Sequence, residues 1–113
     1  MPRFVILQHD HPFPHHDLML EAGAVLRTWR LHGFPHEDEV RAEPLGDHRL
    51  AYLDYEGPVS GGRGRVRREE AGEYTLLADQ PDLVRIELIG RRLRGVLELR
   101  RQGHDWVAEI VSA

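Results

Sequence analysis

The stretch Arg3-Phe4-Val5-Ile6-Leu7-Gln8-His9, followed by Asp10-His11-Pro12-Phe13-Pro14 and then His15-His16-Asp17-Leu18-Met19-Leu20-Glu21-Ala22, decides the fold class. From Arg3 to His9 the side chains alternate, Phe4, Ile6 and Gln8 on one face and Val5, Leu7 and His9 on the other, which is the period of a strand. Pro12 and Pro14 exclude helix and interrupt any ladder, so Asp10 to Pro14 reads as a loop. Alternation resumes from His15 to Ala22, with His15, Asp17, Met19 and Glu21 on one face and His16, Leu18, Leu20 and Ala22 on the other. Gly23 then supplies the glycine that a tight hairpin wants.

Working outward, Ala24 to Arg30 reads as the return strand, with Trp29 as a large apolar anchor. His32 to Gly46 holds Gly33, Pro35, Pro44 and Gly46 among many charges and reads as a long loop with a helical turn around Glu37 to Arg41. Arg49 to Tyr55 reads as a strand. The Gly- and Arg-rich passage Ser60-Gly61-Gly62-Arg63-Gly64-Arg65 follows it. Strands are then expected over Gly64 to Arg68, Tyr74 to Ala78, Leu83 to Ile89, Leu93 to Arg101 and Asp105 to Val111. Turns are expected at Ala71-Gly72, Gln80-Pro81-Asp82, Gly90-Arg91-Arg92 and Gln102-Gly103-His104. Short strands at this spacing, without a long segment of helical period, predict a mainly β fold. It is an antiparallel sheet that closes, or nearly closes, into a barrel with little helix.

The chain has 113 residues, enough for one core and too few for two, so residues 1–113 are expected to form a single domain. No apolar run approaches the roughly 18 residues of a membrane span, and the apolar N-terminal segment reaches His9 and Asp10 too soon for a signal peptide. The expected location is therefore the cytoplasm, away from membranes. There is no cysteine, which excludes disulfides, thiolate metal sites and a Cys nucleophile. Any metal must be held by His and carboxylate.

The formal charge of −4 argues against a protein that coats nucleic acid by net attraction. All 15 basic residues are Arg, which also follows from compositional bias, but several of them cluster between Arg63 and Arg68. Arg is the better phosphate ligand because its planar fork donates two parallel hydrogen bonds.

The eight histidines are unevenly placed: four lie between positions 9 and 16. His15 and Asp17, two apart on one strand, face the same way with Cα atoms about 6–7 Å apart, within reach of one divalent ion. His9 ends the preceding strand and can complete the set. Two imidazoles and one carboxylate leave positions open for water and substrate, which suits Mn²⁺, Fe²⁺ or Zn²⁺ in a catalytic role. The same residue types also occur as plain exposed polar surface. His11 and His16 are expected to be bystanders, and His32, His36 and His104 surface residues. In a second element, Asp47 to Gly57, His48, Leu50 and Tyr52 share one expected strand face. There His48 could protonate a leaving oxygen or hold a phosphate, and Tyr52 could hydrogen-bond the same group.

Taken in order, these segments resemble the 3′-phosphoesterase domain of bacterial DNA ligase D, a multidomain enzyme of nonhomologous end joining. That family carries His-x5-His-x-Asp-x-Arg-x-Glu, and the same frame here reads His9, His15, Asp17, Met19 and Glu21. Its second signature reads here as Asp47, His48, Tyr52 and Tyr55-Glu56-Gly57. Gly61 and Gly64 fit its Gly-rich continuation, and Gly90 to Val96 with Trp106 resembles its closing hairpin.

The resemblance implies a β-barrel in which His9, His15 and Asp17 bind Mn²⁺ while His48 and Tyr52 address the scissile phosphate. The implied reaction is metal-dependent removal of a 3′-ribonucleoside and then of a 3′-phosphate, leaving a 3′-hydroxyl. The implied partners are DNA or RNA-tailed DNA 3′ ends and a separate ligase or polymerase of end joining. Met19 departs from the pattern, since a thioether cannot replace the family's guanidinium in holding phosphate. Arg41 lies near an Arg that the family uses, and Arg63 or Arg65 is the expected source of the missing charge. The alternative is a DNA-end or metal-binding module that kept the site and lost turnover. A facial-triad iron oxygenase, and a structural repair partner docking through an exposed Phe34, fit fewer of the residues.

Overall fold

The computed structural model describes residues 1–36 and 38–112. Ten strands make up the sheet: β1 (Arg3–His9), β2 (His15–Ala22), β3 (Val25–Leu31), β4 (Val40–Pro44), β5 (His48–Arg49), β6 (Gly57–Pro58), β7 (Arg65–Gln80), β8 (Leu83–Gly90), β9 (Arg94–Gln102) and β10 (Asp105–Ser112). All pairings are antiparallel. The order β1-β2-β3-β4-β10-β9-β8-β7 returns on itself because β7 also pairs β1, so these eight strands form a closed ring of hydrogen bonds. Closure removes the open edges that would otherwise invite another chain. No helix among the described residues is long and apolar enough to cross a membrane.

Alternation along each strand sorts the apolar residues into two clusters. Phe4, Ile6, Leu18, Leu20, Trp29, Ile86, Leu88, Leu97 and Leu99 fill the inside of the ring. Val5, Leu7, Met19, Leu26 and Val66 form a second cluster on the opposite, outer face, beneath Leu53, with half-buried Leu50, Tyr52 and Val59 packed against it. The segment from His48 to Gly64 therefore lies as a strap across the outside of β1–β3. With both faces covered, β1 can be apolar at four consecutive positions, Phe4 to Leu7, all of them buried.

Five sequence expectations are corrected by this architecture. The loop expected over His32 to Gly46 contains β4, which closes the gap between β3 and β10. Of the helical turn expected over Glu37 to Arg41, Glu37 lies outside the described residues, while Val40 and Arg41 are extended; the pairing of β4 on both sides overrides local preference. The strand expected from Arg49 to Tyr55 is only the two-residue β5 followed by a 3₁₀ turn, Leu50–Leu53, which drives Leu53 into the outer cluster. His48, Leu50 and Tyr52 thus do not share a strand face. Finally, Phe34 is half-buried against the inner core and edge-on to His16, so it is not an exposed docking residue.

The turn expected at Ala71-Gly72 is the fifth correction: β7 runs through it as one strand of 16 residues, pairing β1 with its first half and β8 with its second. Gly72 marks a close approach of backbones and not a turn. A Cβ there would stand 2.1 Å from the Ile89 carbonyl oxygen and 2.8 Å from the Gly90 Cα. Beside it the Glu70 carboxylate, almost fully buried, accepts backbone N–H groups from Ala71, Arg91, Arg92 and Leu93 at 2.5–3.0 Å, and so ties the β8–β9 turn to β7. Burial pushes the Glu70 carboxyl up, but the donors from Leu93, Ala71, Arg92 and Arg91 outweigh it and hold the group below its ordinary value.

Candidate metal centre

His9 and His15 are register partners at the loop end of the β1–β2 hairpin, and Asp17 faces Leu7 one rung further in. Strand alternation puts all three side chains on the outer face, where the strap covers them. One ligand atom from each lies within 4.8 Å of the others. The His9 and His15 rings are 5.0 Å apart, His15 and Asp17 are nearly fully buried, and His9 is half-buried.

Hydrogen bonds determine which ring nitrogens are free. His15 Nδ1 donates to the Phe13 carbonyl at 2.8 Å, which leaves Nε2 as the lone-pair nitrogen. His9 Nε2 donates to the Arg63 carbonyl at 2.8 Å, which directs Nδ1 toward Asp17 Oδ2 at 3.3 Å. This is the way metal-binding imidazoles are oriented, each with its far nitrogen fixed on a backbone carbonyl. His15 Nε2 and Asp17 Oδ1 stand 3.1 Å apart, both sealed from solvent and neither with a hydrogen-bond partner. Two buried acceptors held face to face are costly unless a cation lies between them, and a divalent ion fits this donor set. Burial holds the His15 pKa below the ordinary imidazole range, outweighing the Phe13 carbonyl and Asp17, and so favours the neutral ring that a metal requires.

The Gly-rich passage meets the triad through its backbone. Gly64 has φ +76°, and a Cβ on it would come within 2.1 Å of Asp10 Oδ1, which accepts the Arg65 backbone N–H at 2.7 Å. That clasp brings the Arg63 carbonyl onto His9. The Arg63 guanidinium turns back on Ser60, with Nε 2.7 Å from its carbonyl.

A cavity of about 90 Å³ opens beside the triad, lined by His9, Asp17, Met19, His48, Tyr52 and Arg63 among others. His48 is placed there by pairing with Leu26 and by donating from Nδ1 to the Gly46 carbonyl at 2.9 Å; its ring is 6.1 Å from that of Tyr52, edge-on. Two phosphate-binding candidates lie elsewhere. Arg65 faces a separate hollow with Gln8, Asp10, Glu56 and Arg67, and Arg41 is exposed on β4.

A family model for the DNA Ligase D 3′-phosphoesterase domain matches residues 7–101. The chain belongs to this family. Two curated relatives of the phosphoesterase domain are the multifunctional non-homologous end joining DNA repair protein LigD of Mycobacterium tuberculosis (strain ATCC 25618 / H37Rv) and its namesake in Mycobacterium bovis (strain ATCC BAA-935 / AF2122/97). Each is 33% identical over 116 residues, covering 93% of this chain and 15% of the relative. The chain thus spans about a seventh of those proteins' length. Membership points to phosphoesterase chemistry, and His9, His15 and Asp17 of the buried triad all lie within the matched stretch.

Proposed function

We propose that this phosphoesterase domain is a metal-dependent 3′-end-processing enzyme that removes a 3′-ribonucleoside, leaving a 3′-phosphate, and then removes the 3′-phosphate, leaving a 3′-hydroxyl. The observation that carries this reading is the buried pair of His15 Nε2 and Asp17 Oδ1, 3.1 Å apart with no partner, completed by His9. A divalent ion held there, Mn²⁺ by preference and Zn²⁺ or Fe²⁺ by the same donor chemistry, would neutralise phosphate charge and lower the pKa of a bound water.

The cavity of about 90 Å³ would hold a phosphoryl group or a few waters against His9, Asp17, His48 and Tyr52. His48, with Nδ1 fixed on the Gly46 carbonyl, keeps Nε2 for the substrate; as imidazolium it would donate a proton to the departing oxygen, the nucleoside 5′-oxygen in the first step and the strand 3′-oxygen in the second, as the P–O bond breaks and water oxygen bonds to phosphorus. Tyr52 would hydrogen-bond a non-bridging oxygen. The substrates are 3′ ends of DNA or RNA-tailed DNA, handed on to a ligase or polymerase.

Met19 favours a second reading, a DNA-end-binding module without turnover, because it lines the cavity with a thioether where the motif it resembles carries a guanidinium. Purified protein with Mn²⁺ on a 3′-phosphorylated primer–template separates the two. Release of inorganic phosphate with a new 3′-hydroxyl is expected, and end binding without release would establish the second reading instead.

A further inference from the structure

Arg30 lies directly across from Asp17 in the β2–β3 register and therefore on the same outer face. Its guanidinium lies 5.3 Å from the Phe13 ring centre, and the Phe13 ring is in turn 5.6 Å from His15, edge-on. Among the described residues that guanidinium makes no hydrogen bond and no ion pair, although Asp17 and Glu43 are its neighbours on both flanking strands; its Nε is sealed from solvent with no partner. An Arg held on an aromatic face beside a metal triad, with all of its donors uncommitted, is a prepared anion contact.

The other candidates are less available. Arg63 is occupied by Ser60, Arg65 faces another hollow, and Met19 is sealed into the outer cluster with Val5, Leu7 and Leu26. We infer that Arg30 is a substrate-binding residue of this site, supplying from the neighbouring strand the guanidinium that Met19 cannot, and that its ligand is the 3′-phosphate presented to His9, His15 and Asp17. This inference rests on the phosphoesterase reading above.

The test compares fluorescent oligonucleotides ending in 3′-phosphate or 3′-hydroxyl, bound to the whole chain in EDTA and in Ca²⁺, with Mn²⁺ affinity measured separately by calorimetry. Wild type is expected to prefer the 3′-phosphate, and Arg30→Gln to lose about ten- to a hundred-fold of that affinity with the 3′-hydroxyl strand little changed. Mn²⁺ affinity and Tm should hold, Arg30→Lys should recover part of the preference, and Arg63→Gln should keep it. Retention of the preference within two-fold in Arg30→Gln overturns the inference. So does a loss that merely follows Mn²⁺ affinity or Tm, a loss caused by Arg63→Gln instead, or a wild type with no preference in either arm. Failure of the wild type to bind Mn²⁺ would count against the metal centre alone, because the EDTA arm still reads Arg30.

Discussion

Asp17→Asn should have opposite effects on the metal-free and the metal-loaded protein. In the metal-free chain Asp17 Oδ1 and His15 Nε2 are two buried acceptors 3.1 Å apart, and an unpartnered buried group of this kind costs about 1–3 kcal/mol. The Asn amide has the same shape and can place its NH₂ on His15 Nε2, which converts the clash into a hydrogen bond. A gain of about 1–2 kcal/mol is expected, or roughly 4–8 °C in Tm, at the lower end of the response for a chain of this size. With Mn²⁺ at about 100 times its Kd, wild type should gain about 2.7 kcal/mol, or about 10 °C. The variant has lost its anionic ligand, so an affinity about a hundred-fold weaker would leave it about 0.4 kcal/mol at the same metal concentration, under roughly 2 °C. Differential scanning fluorimetry in EDTA and in Mn²⁺ reads all four values. A metal-free Asp17→Asn protein less stable than wild type, or one that keeps the full Mn²⁺ shift, would refute the reasoning.

Three further outcomes follow from the same geometry. Gly64→Ala should weaken Mn²⁺ binding about ten-fold by calorimetry while every ligand remains, since its Cβ breaks the Asp10–Arg65 clasp and moves the Arg63 carbonyl off His9; unchanged affinity would separate the clasp from the site. His48→Ala should lower kcat on 3′-phosphorylated ends by about 10²–10⁴ with Mn²⁺ affinity intact, and a loss confined to KM would make His48 a binding group only. Glu70→Ala should cost about 3 kcal/mol in urea unfolding, because it takes the acceptor from the partly buried N–H groups of Ala71, Arg92 and Leu93 at once. The folded-state pKa of Glu70 is depressed, so its contribution is present above the unfolded value of about 4.3 and is lost as pH falls through the folded value. Wild type should therefore lose stability below about pH 4 more steeply than Glu70→Gln, and parallel acid profiles would count against the role of this carboxylate.

The hairpin and its ligands were legible because strand period and ligand spacing coincide: a two-residue step on one strand fixes both the face and the separation of His15 and Asp17. Non-local pairing was not legible. β4 carries no strong local signal and is made extended by β3 and β10 on either side, while the strap around Tyr52 is shaped by burial of Leu53. Gly72 shows the same limit, since one glycine is compatible with a turn and with a close crossing, and only the neighbouring strand decides between them. The Arg-rich passage suggested phosphate-binding side chains, yet its contact with the triad is a backbone carbonyl, about which side-chain chemistry says nothing. Arg30 escaped notice for a related reason. It is 13 positions from Asp17 in sequence, and only the β2–β3 register puts them side by side.

That register also bears on whether Met19 disables the site. Position 19 is opposite Thr28 and packs under the strap with Val5, Leu7 and Leu26, whereas position 17 is opposite Arg30. A guanidinium at position 19 would have to be housed beneath a strap whose underside in this chain is built from Leu53, Leu50 and Val59, and burying it there unpaired would be expensive. Moving the cation one strand over and one rung toward the loop end of the hairpin lets the outer cluster remain apolar and keeps positive charge beside the triad. On this account Met19 and Arg30 form a compensating pair. Arg30→Gln should therefore be far more damaging to 3′-phosphate binding than any apolar replacement of Met19, and Met19→Leu should leave that binding within about two-fold, as a volume-conserving core exchange does for stability. A Met19→Leu protein that folds and binds Mn²⁺ but no longer prefers a 3′-phosphate would assign the thioether itself a role that packing does not explain.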